Sequence, residues 1–193
     1  MNETRRGARG LARLGGAAYG ALLAVALGVV LVRSPHPITP AHAAVEGCSP
    51  QDLAHYCRGV RVRVSSYHVF ANHHPIFAID GRRSHDVLEK WVSGPEDTAP
   101  WIELLFPEPV DFSAIRLVYA GHTEPVDYNM RSYRLRCSAG NELRGELAVH
   151  DNEASRAEHA LKCMGVDRLR IDIDAEPDTG RAVVRLYEIE VAP

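Results

Sequence analysis

The chain contains no G-x-S-x-G, no H-E-x-x-H and no phosphate-binding loop, which removes the common routes to nucleophilic, zinc-peptidase and nucleotide chemistry. No C-x-x-C spacing occurs, so a zinc knuckle is excluded. There is no internal repeat and no low-complexity tract, which excludes a solenoid or a polar disordered chain. Helical periodicity is weak after the first third of the sequence. No basic stripe stands out, which argues against nucleic acid or another polyanion as partner. Asp172 and Asp174 share one face of a strand, but "RLRIDID" places that face opposite the apolar one. Solvated carboxylates therefore explain them better than a catalytic pair. These absences together make the chain a poor candidate for an enzyme.

What is present is one ordinary domain with an unusual start. The chain has 193 residues, 46% of them hydrophobic, enough to bury a single core. Arg5, Arg6, Arg9 and Arg13 precede an uncharged, mostly apolar run from Ala17 to Val32, and an A-x-A site follows at Ala41-His42-Ala43. This order predicts that residues 1–44 are an export signal, or an uncleaved anchor, since a membrane span needs roughly 20 apolar residues. In either case the remainder lies outside the cytoplasm, secreted, periplasmic or tethered, and touches a membrane only through that segment. Removing residues 1–44 takes away five arginines and one glutamate and moves the formal net charge from −3 to −7.

Cys48, Cys57, Cys137 and Cys163 are an even set in an exported chain, which predicts two disulfides. Of the three possible connectivities, the local one, Cys48–Cys57 with Cys137–Cys163, is favoured. Residues 45–59 form a short lead-in. "SPQDLAHYC" has the signature of a short helix, with Ser49 as cap and Pro50 at its first position. A straight helix there would hold the two Cα atoms about 13 Å apart, too far for a bridge. The local pairing thus requires a shorter helix or a folded-back start.

From Val60 onward, residues 60–193 read as strands separated by turn chemistry. "RVRVSS" alternates from Arg61, "WIELLF" lies between Pro100 and Pro107, and "AIRLVYA" follows at Ala114. "SYRLRCS" and "ELRGELAVH" flank "AGN", a hairpin signal. "RLRIDID" places Leu169, Ile171 and Ile173 on one face, and the closing "RAVVRLYEIEV" offers Val184, Leu186, Ile189 and Val191 to the core. This pattern predicts an all-β, antiparallel β-sandwich of about eight strands.

Taken in order, "VSSYH", "AIDG", "KWVS", "PWIELLF", "AIRLVYA", "SYRLRCSAGNEL", "DRLRIDI" and "RLYEIEV" resemble the coagulation-factor type C, or discoidin, family. That family is related to carbohydrate-binding module family 32 and has a galactose-binding-like jelly roll. The resemblance covers about residues 60–193. It implies a binding module whose ligand sits on loops at one end of the sandwich, and it implies no enzyme. It also implies a structural calcium held by Asp80, by an oxygen near Ser84 and by Glu188. Calcium wants roughly six to eight oxygens, yet position 82 is Arg where the family places a second Asp or Asn. The competing expectation is an Asx turn at Asp80 with Gly81 at positive φ.

The same resemblance points to "AGHTEPVDYNMRSY", where sugar-binding relatives carry a His, an Asn and an Arg. His122, Asn129 and Arg131 match those types, with Glu124 and Tyr128 between them. Sugars need planar polar groups for their hydroxyls and an aromatic face for the C–H side of the ring. Tyr128, Tyr67 or Phe70 could supply the face, and His73 lies in the neighbouring loop. Adjacent His73 and His74 alternate sides in an extended segment, which disfavours a shared metal. Trp91 and Trp101 are assigned to core packing, and Glu103 and Glu190 to solvent. The predicted partner is a glycan or a cell-surface ligand. The alternatives are a protein-interaction or adhesion module of an envelope complex with no sugar ligand, and membrane-surface contact through "HVF" at 68–70.

Overall fold

The computed structural model describes residues 48–69, 73–82, 88–174 and 183–193. The expected export segment, Phe70 and Ser84 lie outside the described residues. No helix among the described residues is long and apolar enough to cross a membrane.

Among the described residues seven strands form the body: β1 (Arg61–Val64), β2 (Trp91–Val92), β3 (Trp101–Tyr119), β4 (Tyr133–Ala139), β5 (Glu142–Val149), β6 (Arg156–Ile173) and β7 (Arg185–Ala192). Every pairing is antiparallel. β3 and β6 pair along nearly their whole lengths as one ribbon. β1 joins the first half of β3, and β4 with β5 extends from the second half of β6. β7 with β2 extends from the second half of β3. The two layers of this jelly-roll-type β-sandwich therefore share one long ribbon.

The sequence reading separates "WIELLF" from "AIRLVYA" at Pro107, but the structure keeps them in one bent strand. Pro107 and Pro109 cannot donate to a ladder, and the register slips between Leu105 and Ala114. The slip also exchanges the faces. Ile102, Leu104, Phe106 and Phe112 point inward at even positions, whereas Ile115, Leu117 and Tyr119 do so at odd ones. β6 is longer than its "RLRIDI" end. Its first half, from Arg156, is built from small, charged and long residues with little β-branching, so propensity does not announce it. The four core candidates of the last segment, Val184, Leu186, Ile189 and Val191, are all buried.

The disulfides are Cys48–Cys57 and Cys137–Cys163, with Cα–Cα distances of 6.1 and 6.3 Å. The second joins β4 to β6, and both its cysteines are fully buried. The expected helix after Ser49 does not form. The Asp52 carboxylate accepts the Ala54 N–H at 2.9 Å, the bond a helix would give to the Pro50 carbonyl. Only a 3₁₀ turn, Tyr56–Arg58, remains, and the folded-back segment brings the two cysteines together. The same Asp52 oxygen accepts from Val191 N at 3.0 Å, and Leu53 N donates to the Val191 carbonyl at 2.8 Å. The lead-in is thus stitched to the last strand.

Two assignments of framework residues are corrected. Trp91 is fully buried, with Nε1 donating to the Ser66 carbonyl at 3.0 Å. Trp101 faces outward instead, half-buried beneath the Arg170 guanidinium 4.0 Å from its ring. Glu103 also points away from the core but is only 4% exposed, because arginine side chains cover it.

Candidate functional site

The loop after β3 is built on two short 3₁₀ turns, Ala120–His122 and Val126–Tyr128. Asn129 braces them. Its Oδ1 accepts from Gly121 N at 2.7 Å, and its Nδ2 donates to the Ala154 carbonyl at 3.1 Å. Gly121 must be glycine here, because a Cβ would come within 2.6 Å of both Asn129 Oδ1 and Ser155 Oγ. Asn129 is 8% exposed. Its amide holds the loop together, a correction to its expected place among groups facing a ligand. Arg131 is exposed, with its carbonyl accepting from Asn152 N at 2.9 Å.

Glu124 is the centre of the site. Lys90 Nζ lies 3.0 Å from Glu124 Oε1, the Tyr187 hydroxyl donates to that oxygen at 3.2 Å, and Arg185 pairs with Oε2. Thr123 Oγ1 donates to the Tyr187 hydroxyl at 2.6 Å. Burial first of all pushes Tyr187 up to about 12, so it remains a neutral phenol and can donate. The Arg185 guanidinium stacks 3.8 Å from the Tyr128 ring centre, and Lys90 Nζ lies 5.2 Å from that of Tyr187. Two cations therefore share one carboxylate between two aromatic rings. Glu124, with its side chain 10% exposed, holds these groups together.

The neighbouring loop adds histidines. His73 Nδ1–H donates to the Leu88 carbonyl at 3.2 Å. Burial, and then the Lys90 charge, lowers its pKa, so its Nε2 is an acceptor at neutral pH. His68 lies edge-on to His73, with ring centres 6.1 Å apart. Tyr67 packs edge-on to His74 at 5.6 Å. His122 meets Tyr187 edge-on at 6.4 Å, and Arg156 Nη2 lies 3.0 Å from its Nε2. Of the residues singled out in the sequence, His73, His122, Glu124 and Tyr128 converge here. Lys90, Arg185 and Tyr187 were missed, because "KWVS" and "RLYEIEV" were read only as framework. Nothing short of strand register places Lys90 and Arg185 on the same carboxylate.

Asp80 and Glu188 form a second polar site. Asp80 Oδ1 accepts from Arg82 N at 2.9 Å and Gly81 has φ +73°, the geometry of an Asx turn. The Arg82 side chain turns outward to Glu89 at 3.4 Å. His55 Nδ1 accepts from Cys57 N at 3.1 Å, so its other nitrogen donates to the Asp80 carbonyl, 2.9 Å away. Glu188 is fully buried; its Oε1 accepts from Gly81 N at 3.3 Å and its Oε2 has no hydrogen-bond partner. Burial pushes Asp80 up to about 6. Burial, and then the Asp80 charge, holds Glu188 well above the usual carboxylate range. The paired charge suits a cation, and Ser84, the third expected ligand, lies outside the described residues. Among the described residues, Asp80 Oδ1 and its carbonyl already accept hydrogen bonds, which leaves Asp80 Oδ2 and the Glu188 carboxylate as the oxygens nearest one another. What these residues hold well is a proton.

No protein family matches the sequence, and no curated protein does. Solved structures match its shape. The family 32 carbohydrate-binding module of Streptococcus pneumoniae EndoD superposes with a TM-score of 0.59 at 15% identity, over 72% of this chain and 97% of that one. The lectin domain of lectinolysin, solved with Lewis B antigen, gives 0.61 at 14%, over 75% and 97%. The family 32 module of Clostridium perfringens NanJ, solved with galactose, gives 0.57 at 12%, over 74% and 98%. At these identities the likeness is one of fold: the chain has the β-sandwich fold of these modules, the fold that the ordered sequence pieces imply.

Proposed function

We infer that this protein is an exported, non-catalytic module that binds a carbohydrate through the loops around Glu124. The observation that carries the reading is the convergence of planar donors and aromatic rings in one loop cluster, on a fold shared with carbohydrate-binding modules. Arg185 and His122 offer directional hydrogen bonds, His73 offers an acceptor, and Tyr128 offers an apolar ring. Arg131 stands at the end of the same loop. The two disulfides and the basic-then-apolar start agree with export to an oxidising compartment.

The test is a glycan array with the full chain, followed by titration of the best glycan against Tyr128→Ala and Arg131→Ala. Loss of an aromatic or charge-assisted contact should weaken binding about tenfold. Retained affinity in both variants would place the ligand elsewhere. No glycan bound, together with specific recovery of one envelope protein, would favour an adhesion module instead.

A further inference from the structure

The arginines that form no stripe along the chain form one across it. β1, β3, β6, β4 and β5 place side chains of alternate residues on the outer face of one layer. In register, one row reads Arg63, Glu103, Arg170, Arg136 and Glu146. The next row reads Arg61, Leu105, Arg168 and Ser138. On the other side, Trp101 and Asp172 lie level with Arg134. Six arginines thus share a face with three carboxylates, on a body whose overall charge is negative. The absence of a basic stripe, read from the linear sequence, is corrected here.

Arg136 and Arg170 are direct cross-strand partners, an arrangement of like charges that costs stability by itself. Two carboxylates hold the guanidiniums in place. Glu103 lies 3.3 Å from Arg63 Nη1, 3.6 Å from Arg168 Nε and 4.0 Å from Arg170 Nη1. Asp172 accepts from Arg170 Nε at 2.8 Å and from Arg136 Nε at 3.0 Å. Each guanidinium has five N–H donors, more than these carboxylates engage, and the face keeps a positive excess. Beside this row, under the β4–β5 turn, lies a cleft of 340 Å³ lined by Arg136, Arg168, Arg170, Ser138 and Asn141 among others. It combines fixed guanidiniums with a hydroxyl and an amide.

From this we propose that the arginine face binds an acidic glycan, with carboxylate or sulfate groups on the guanidiniums and ring hydroxyls on Ser138 and Asn141. Charge complementarity selects an anion. The neutral donors and acceptors within the cleft favour a sugar over a phospholipid surface or an acidic peptide, whose charges need no such partners. The site is separate from the loop cluster.

Affinity electrophoresis of the full chain through gels containing polygalacturonate, dextran sulfate or neutral dextran tests this, with poly-glutamate as competitor. The wild type should be retarded by at least one acidic polysaccharide at low salt and not by neutral dextran. Added salt should release it. Arg136→Gln with Arg168→Gln should weaken the retardation by about tenfold or more. Asn141→Ala, on an exposed turn, gives a milder loss without threatening the fold. Arg116→Gln, outside both sites, should leave retardation unchanged. No retardation by either acidic polysaccharide, or equal retardation of the arginine double variant, overturns the proposal. Competition by poly-glutamate as effective as by the polysaccharide itself overturns the assignment to a glycan.

Discussion

Glu124 and Glu188 are both carboxylates shut away from water, and they sit in opposite fields. Glu124 is clamped by Lys90 and Arg185 and receives the Tyr187 hydroxyl. Glu188 faces Asp80, with one backbone N–H and an oxygen that has no partner. One site has cation to spare; the other is short of it. Burial alone therefore says little about what an acid does. The first uses its charge to fix a set of donors around two aromatic rings. The second relieves its charge by taking up a proton.

The sharpest way to break this contrast is Glu124→Ala. It removes a carboxylate from Lys90, whose side chain is 3% exposed. Removing one partner of a buried pair costs about 3–5 kcal/mol, so denaturant unfolding should show a large loss and glycan binding should fall with it. An unchanged midpoint would mean that the cluster is ornamental. Glu188→Gln should act in the other direction. The amide oxygen can still accept from Gly81 N, and no charge is buried. At pH 7.5 a gain on the order of 1 kcal/mol is expected, roughly 3 °C in Tm.

Acidification should reproduce that gain in the wild type. Asp80 has a folded pKa of about 6, above its unfolded value, so the folded state holds the proton more tightly. The stabilising contribution is complete below the unfolded pKa and is lost as pH rises through about 6. Tm should therefore fall between pH 5 and pH 7, approximate limits set by that linkage, and fall less in Glu188→Gln. A rise over that interval would contradict the protonated pair. Added calcium should move Tm little at pH 7.5, and a shift of several degrees would show that the donors are completed after all. The smallest effect belongs to Arg116→Gln. Its partner Glu158 is more than half exposed, and such pairs contribute about 0–1 kcal/mol.

Much of this architecture was legible because strands repeat every second residue. "RLRIDID" and "RLYEIEV" announced their inward faces, and "AGN" announced its hairpin. The bend of β3 was not legible. Pro107 reads locally as a stop, and only pairing with β6 on both sides keeps the strand whole. The helix after Ser49 failed for a comparable reason, since Asp52 takes the N–H that the second turn needs. At the loop site, the residues close in sequence, His122, Glu124 and Tyr128, could be named in advance. Lys90 and Arg185 could not, because they reach Glu124 from β2's approach and from β7. The same limit hid the arginine face, whose rows exist only across strands.

The stitch between Asp52 and Val191 has a further consequence. These residues are 139 positions apart, yet Asp52 accepts from Val191 N, and its neighbour Leu53 donates to the Val191 carbonyl. The path of the described chain is nearly a closed ring, so its opening could be moved. A short linker joining the two segments, with new ends at the exposed Gly140-Asn141 turn, should yield a circular permutant that keeps the sandwich. In such a molecule the new ends would emerge beside the arginine face, at the mouth of its cleft.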